Sequence, residues 1–115
     1  MAKIPFFTII TASLNKGTSI QRTLESIINQ TFKDLEHIVV DGGSTDNTLD
    51  IIKSFVGTYN LSYISEPDSG IAAALNKGLK LAKGKYVLII QIIKTHSGLK
   101  HPLMMLNCIE NQIII

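Results

Sequence analysis

Apolar positions recur along the chain in two alternating rhythms. Phe6 to Thr11 is a run of aromatic and β-branched residues, which predicts a strand buried on both faces. Ser13 to Gly17 is a polar turn. Ile20, Leu24, Ile27 and Ile28 then share one face of a helix opening near Thr18, where Thr18 and Gln21 have capping-box spacing. Glu36 to Val40 predicts a second strand, closed by Asp41 and followed by a glycine-rich loop, Asp41 to Asp46. A second helix follows, with Asp46 or Thr45 as cap and Leu49, Ile52 and Phe55 or Val56 facing inward. Leu61 to Ser65 predicts a short third strand, and Pro67 to Gly70 a turn. Ile71 to Lys83 has helical composition, with Leu75, Leu79 and Ala82 on one stripe and Gly84 as a left-handed stop. Tyr86 to Ile90 predicts a fourth strand.

The sum is β-α-β-α-β-α-β. It predicts an α/β fold, a Rossmann-like parallel sheet with flanking helices. The character changes after Ile90. Residues 91–115 hold a single acid, Glu110, keep no sustained period, and finish on three isoleucines. Two units are therefore expected, 1–90 and a divergent tail over 91–115. A short helix around Leu103 to Ile109, with Pro102 in its first turn, would partly cover the open edge beside the fourth strand. Left uncovered, that edge would promote self-association.

Composition narrows the function classes. A chain of 115 residues, 45% apolar and 17% charged, fits one small folded domain rather than a charged disordered tail. A formal net charge of +2 and the lack of tryptophan argue against a nucleic-acid partner. The lone Cys108 excludes an internal disulfide framework and a multi-thiolate zinc site. Ile4 to Ala12, behind Lys3, is too interrupted for a secretion signal, and no run reaches the roughly 20 apolar residues of a membrane span. A cytoplasmic protein, or one peripheral to the inner face of the membrane, is expected.

In open parallel sheets ligands bind beyond the carboxyl ends of the strands. Those ends carry Thr11 to Asn15, Asp41 to Asp46 and Ser65 to Gly70, all polar. Ser44, Thr45 and Asp46 can serve as helix caps, and Gly42 and Gly43 as turn formers. Asp41 closes an apolar strand and precedes two glycines, so it is a candidate acceptor for a base or sugar. Other chemistries lack their motifs. No GxGxxG follows the first strand, and there is no P-loop and no GxSxG elbow. His37 reads as a core or edge residue, and His96, His101 and Cys108 lack metal-ligand spacing.

The run TIITASLNKGTSIQRTLESIINQTFKDLEHIVVDGGSTDNTLDIIK, continued by ISEPDSGIAAALNKGLKLAKGKYVLII, resembles the N-terminal half of family 2 glycosyltransferases of GT-A fold. It is similar to bacterial enzymes of O-antigen and surface-polysaccharide synthesis. The resemblance covers about Pro5 to Ile90. It implies a partial GT-A fold and a nucleotide-diphosphate sugar donor of UDP type, with a polysaccharide or glycolipid hydroxyl as acceptor. It also implies nucleotide-binding roles for Thr11, Ala12, Asn15, Asp41, Asp68 and Gly70, with Asp41 meeting the uracil ring. Asn76 and Lys77 belong to a motif of the following helix.

Two departures stand out. Relatives often read GIYDAMNKG where this chain reads GIAAALNKG, so Ala72 and Ala73 replace an aromatic and a carboxylate. The family's acidic motif for Mg²⁺ or Mn²⁺ follows the fourth strand, and Gln91, Ile92 and Ile93 stand there instead. No bound cofactor, no metal site and no assignable catalytic residue are therefore expected. The abrupt change after Ile90 suggests a truncation or reading-frame change, and a chain inactive alone. A non-catalytic nucleotide-binding module working with a partner chain is the alternative. An unrelated receiver or scaffold domain would want acids at the first strand's end, where TASLN stands.

Overall fold

A computed structural model describes residues 4–90 and 107–110. Its elements follow in order: β1 (Phe7–Ser13), α1 (Gly17–Ile28), β2 (Leu35–Asp41), α2 (Thr48–Phe55), β3 (Leu61–Ser65), α3 (Ile71–Leu81), β4 (Tyr86–Ile89) and β5 (Asn107–Glu110). The sheet order is β3-β2-β1-β4-β5. The first four strands pair with one another in parallel, and β5 runs antiparallel to β4. The alternating pattern therefore gives the expected Rossmann-like α/β sheet, with boundaries shifted by a residue or two.

The two-residue period of the strands sends side chains to opposite faces. Val39 packs with Ile20 and Leu24 of α1 and Ile52 of α2. Ile10, Val87 and Ile89 pack with Leu75 of α3 on the other face. Ile38 and Val40 join Ala74 there. Of the residues assigned inward in α2, Phe55 packs against the core and Val56 lies exposed. Gly78 lets α3 lie close to the sheet, because a Cβ there would stand 2.6 Å from Cγ2 of Ile10.

Three local expectations need correction. Thr18 and Gln21 do not form a capping box. Helix α1 begins a residue earlier, and its opening amides, Lys16 N and Gly17 N, donate to Thr48 Oγ1 at 2.8 and 2.9 Å. Gly84 is not a left-handed stop, since α3 ends at Leu81 and Ala82 turns extended. Gly84 instead permits close approach: its amide donates to Thr8 Oγ1 at 2.8 Å, and a Cβ would meet Thr8 N at 2.5 Å. The third correction concerns the edge beside β4. A strand, Asn107–Glu110, overlaps the stretch read as a short helix, and it pairs with β4. The rest of 91–115 lies outside the described residues, as does the proposed division of the chain at that point.

Among the described residues, no helix is long and apolar enough to cross a membrane.

Candidate functional site

Strand order determines where a crevice opens. The chain runs outward from β1 through β2 to β3, then returns to place β4 on β1's other side. In open parallel sheets a crevice lies beyond the carboxyl ends of the strands at such a switch point. A cavity of about 340 Å³ lies there. Its walls include Ala12, Ser13 and Leu14 from the end of β1, Gly42 after β2, and Asp68 and Gly70 before α3. Ile89 and Ile90 close it from β4, and Lys16 brings a cation.

Six residues were anticipated here from sequence. Ala12, Asp68 and Gly70 line the cavity. Thr11 does not. It is buried in the sheet, its Oγ1 lying 2.9 Å from His37 Nε2, while His37 Nδ1 meets the Tyr59 hydroxyl at 2.7 Å. Burial holds His37 down at about 3, so the imidazole is neutral, and burial pushes the Tyr59 phenol up.

Asp41 is also withdrawn from the ligand space. It is fully buried, and Oδ2 accepts from Gly43 N at 3.2 Å, Ser44 N at 2.8 Å and Ser65 Oγ at 2.9 Å. Ser44 Oγ donates to Oδ1 at 2.5 Å. The carboxylate organises its own loop and offers no exposed oxygen.

Asn15 acts as a brace between loops. Its φ of +49° is a conformation that asparagine tolerates. Its Oδ1 accepts from Thr45 N at 2.8 Å and Asp46 N at 3.3 Å, and its own amide donates to Ser44 Oγ at 2.8 Å. Asp46 supports the start of α2, as its Oδ1 accepts from Thr48 N at 2.9 Å and from the Thr48 hydroxyl. Those bonds hold its carboxyl below the usual carboxylate range. The assigned cap is Asn47, so the cap falls one residue beyond Asp46.

Ser13, Leu14 and Gly42 lie in the strand-end segments expected to form the pocket, whereas Lys16, Ile71, Ala74, Leu75, Ile89 and Ile90 are lining residues outside them. A legible signal existed for Ser13 and Leu14, which follow Ala12 off the end of β1. Asn76 is exposed, and Lys77 pairs with Glu66 at 2.9 Å instead of reaching the cavity wall. Helix α3 opens at Gly70 with no side-chain cap and no acid in its first turn. Its leading amides carry partial positive charge toward the cavity mouth, so an anion is favoured there.

A divalent cation fits this wall poorly. Among the described residues, Asp68 is the one carboxylate lining the cavity, and Lys16 sits in the same wall. Among the described residues, no three His, Cys, Asp or Glu side chains converge as a metal group. Hard cations take several oxygen ligands, and these residues do not supply them. Positions 91–93 lie outside the described residues.

Comparison with known proteins agrees with this architecture. The model of "Glycosyl transferase family 2" matches residues 8–91. A chondroitin synthase of Pasteurella multocida is 40% identical over 86 residues, covering 74% of this chain and 9% of that protein. A PGL/p-HBAD biosynthesis glycosyltransferase of Mycobacterium bovis is 40% identical over 88 residues, covering 75% of this chain and 34% of the relative. The chain thus spans a minor part of these relatives. Among solved structures, the mannosyltransferase PcManGT of Pyrobaculum calidifontis, in complex with GDP-Man and Mn²⁺, superposes with a TM-score of 0.72 at 31% identity, covering 78% of this chain and 28% of that one. TarS residues 1–349 of S. aureus, in complex with UDP-GlcNAc, superposes with a TM-score of 0.68 at 32% identity, covering 74% and 26%. With that match extending over most of its length and the crevice at the expected switch point, the chain belongs to glycosyltransferase family 2.

Proposed function

We propose that this chain binds the nucleoside diphosphate of a sugar donor, of UDP type, and forms the nucleotide half of a transfer to a polysaccharide or glycolipid hydroxyl. The observation that carries it is the cavity at the β1/β4 switch point, walled by strand ends and the start of α3. Apolar Leu14, Ile71 and Ile89 can take the faces of a base. Lys16 and the open amides of α3 favour a diphosphate. Asn15 and Asp41 act as positioning residues, fixing the loops behind that wall. Relatives with chondroitin synthase and mycobacterial glycosyltransferase names support the polysaccharide and glycolipid classes.

Binding without dependence on a divalent metal is supported by the single carboxylate that the described residues bring to the wall. When bound, such a metal supplies Lewis-acid stabilisation of a leaving diphosphate, worth several kcal/mol. We expect no sugar transfer by this chain alone. A role as a binding module beside a partner chain is the second reading, favoured by the same acid-poor wall. Calorimetry with UDP, with and without Mn²⁺, tests the proposal. Weak binding unchanged by Mn²⁺ is expected. An affinity gain above about tenfold with Mn²⁺, or measurable sugar transfer, overturns it.

A further inference from the structure

Resting on that nucleotide site, we propose that Lys77 and Gly78 are positioning residues that set the width of the cavity. Gly78 fixes how near α3 lies to the sheet, and Lys77 holds the loop leading into that helix. Neither residue lines the cavity. Both act through residues that do.

Gly78 works through Ile10. It is buried in α3, and a Cβ there would stand 2.6 Å from Ile10 Cγ2, 3.3 Å from Cδ1 and 3.4 Å from Cγ1. Ile10 has no room to yield. It is fully buried in a cluster with Leu75, Val87 and Ile89, and a β-branched side chain is stiff at χ1. A side chain at 78 therefore displaces the helix, by about 1 Å to restore ordinary carbon–carbon contact. Ile71, Ala74 and Leu75 ride on that helix and line the cavity, whereas the sheet contributes Ala12, Ser13 and Ile89. The spacing of α3 from the sheet is thus the spacing of two walls. A gap of about 1 Å forfeits up to roughly half of the dispersion attraction at each contact across it.

Lys77 works through Glu66. Its Nζ lies 2.9 Å from Glu66 Oε1, and Glu66 N donates to the Asp41 carbonyl at 3.0 Å. Glu66 is therefore tied both to the end of β2 and to the second turn of α3. Asp68 and Gly70 of the cavity wall sit inside the loop that this ion pair closes. The two side chains are 28% and 55% exposed, so the contribution is modest and falls with salt.

UDP titrations of the full chain, followed by NMR to read weak binding, test both contacts at a temperature where circular dichroism shows each variant folded. Alanine is a better helix former than glycine, which offsets part of the strain and keeps Gly78→Ala folded. This variant should bind UDP at least about fivefold more weakly. Adding Ile10→Leu should restore the affinity to within about twofold of the parent. Leucine has no branch at Cβ, so the carbon at 2.6 Å is removed while the side-chain volume is kept. Lys77→Ala and Glu66→Ala should each weaken UDP by about twofold to threefold at low salt, and by less at high salt. These two substitutions change the net charge in opposite directions. A field acting on the anionic ligand would make Glu66→Ala bind more tightly, so a loss in both marks positioning. A folded, less stable Gly78→Ala with unchanged UDP affinity overturns the proposal, and so does tighter binding by Glu66→Ala. Both outcomes leave the nucleotide site intact. Failure of the parent to bind UDP overturns the functional proposal and this one with it.

Discussion

Two loops at the same end of the sheet treat their aspartates differently. The loop after β2 folds around Asp41, which accepts from two amides of its own loop, from the Ser44 hydroxyl there, and from Ser65 at the end of β3. The loop before α3 fixes one oxygen of Asp68 on Gly70 N and leaves the other bare. The first carboxylate belongs to the architecture, and the second is carried by a residue of the cavity wall. Position at a strand end therefore does not make an aspartate a ligand contact; what matters is whether its oxygens are already satisfied.

The sharpest way to break the contrast is Asp41→Ala. It strips the acceptor from four donors, and we expect a loss of about 2–4 kcal/mol in chemical denaturation. A loss below about 1 kcal/mol would show that Asp41 is no scaffold.

The buried His37 network beneath β2 is next. His37 stays neutral in the fold, at about 3 against 6.5 when free. Its contribution is complete above pH 6.5 and falls as pH drops from there toward 3, because the unfolded chain gains the proton first. The slope should reach about 1.4 kcal/mol per pH unit between pH 6 and 5. Denaturation of the parent and of His37→Gln across that window checks it, the variant giving the flatter curve.

Asn15→Gly keeps the backbone turn and removes the brace to Thr45 and Asp46. We expect about 1–2 kcal/mol of destabilisation, read by thermal melting. Asp68→Ala should change stability least, by under about 0.5 kcal/mol, while UDP binding falls in calorimetry. A large stability loss there would erase the distinction between the loops.

Periodicity alone made the sheet and helices legible, because strands and helices bury their apolar residues at different spacings. Long-range bonds escaped it. Thr11 and Ser13 look alike as small polar residues off one strand. Only the arrival of His37 beside Thr11 assigns one to the interior, leaving the other in the cavity wall. Asp41 and Asp68 both end strands or follow them closely. The closure of Asp41 depends on Ser65, 24 positions away, which no local pattern reveals. The cap of α1 was misjudged for the same reason, and so was Gly84, whose partner Thr8 lies 76 positions back.

That cap has a bearing on the order of assembly. The acceptor closing the start of α1 belongs to Thr48, 31 and 32 positions further along. During synthesis the first helix leaves the ribosome with its opening amides facing water, and its leading turn stays frayed. It locks only when β2 has formed and α2 has emerged to deliver the hydroxyl. A nascent chain halted before Thr48 lacks the group that closes its first helix.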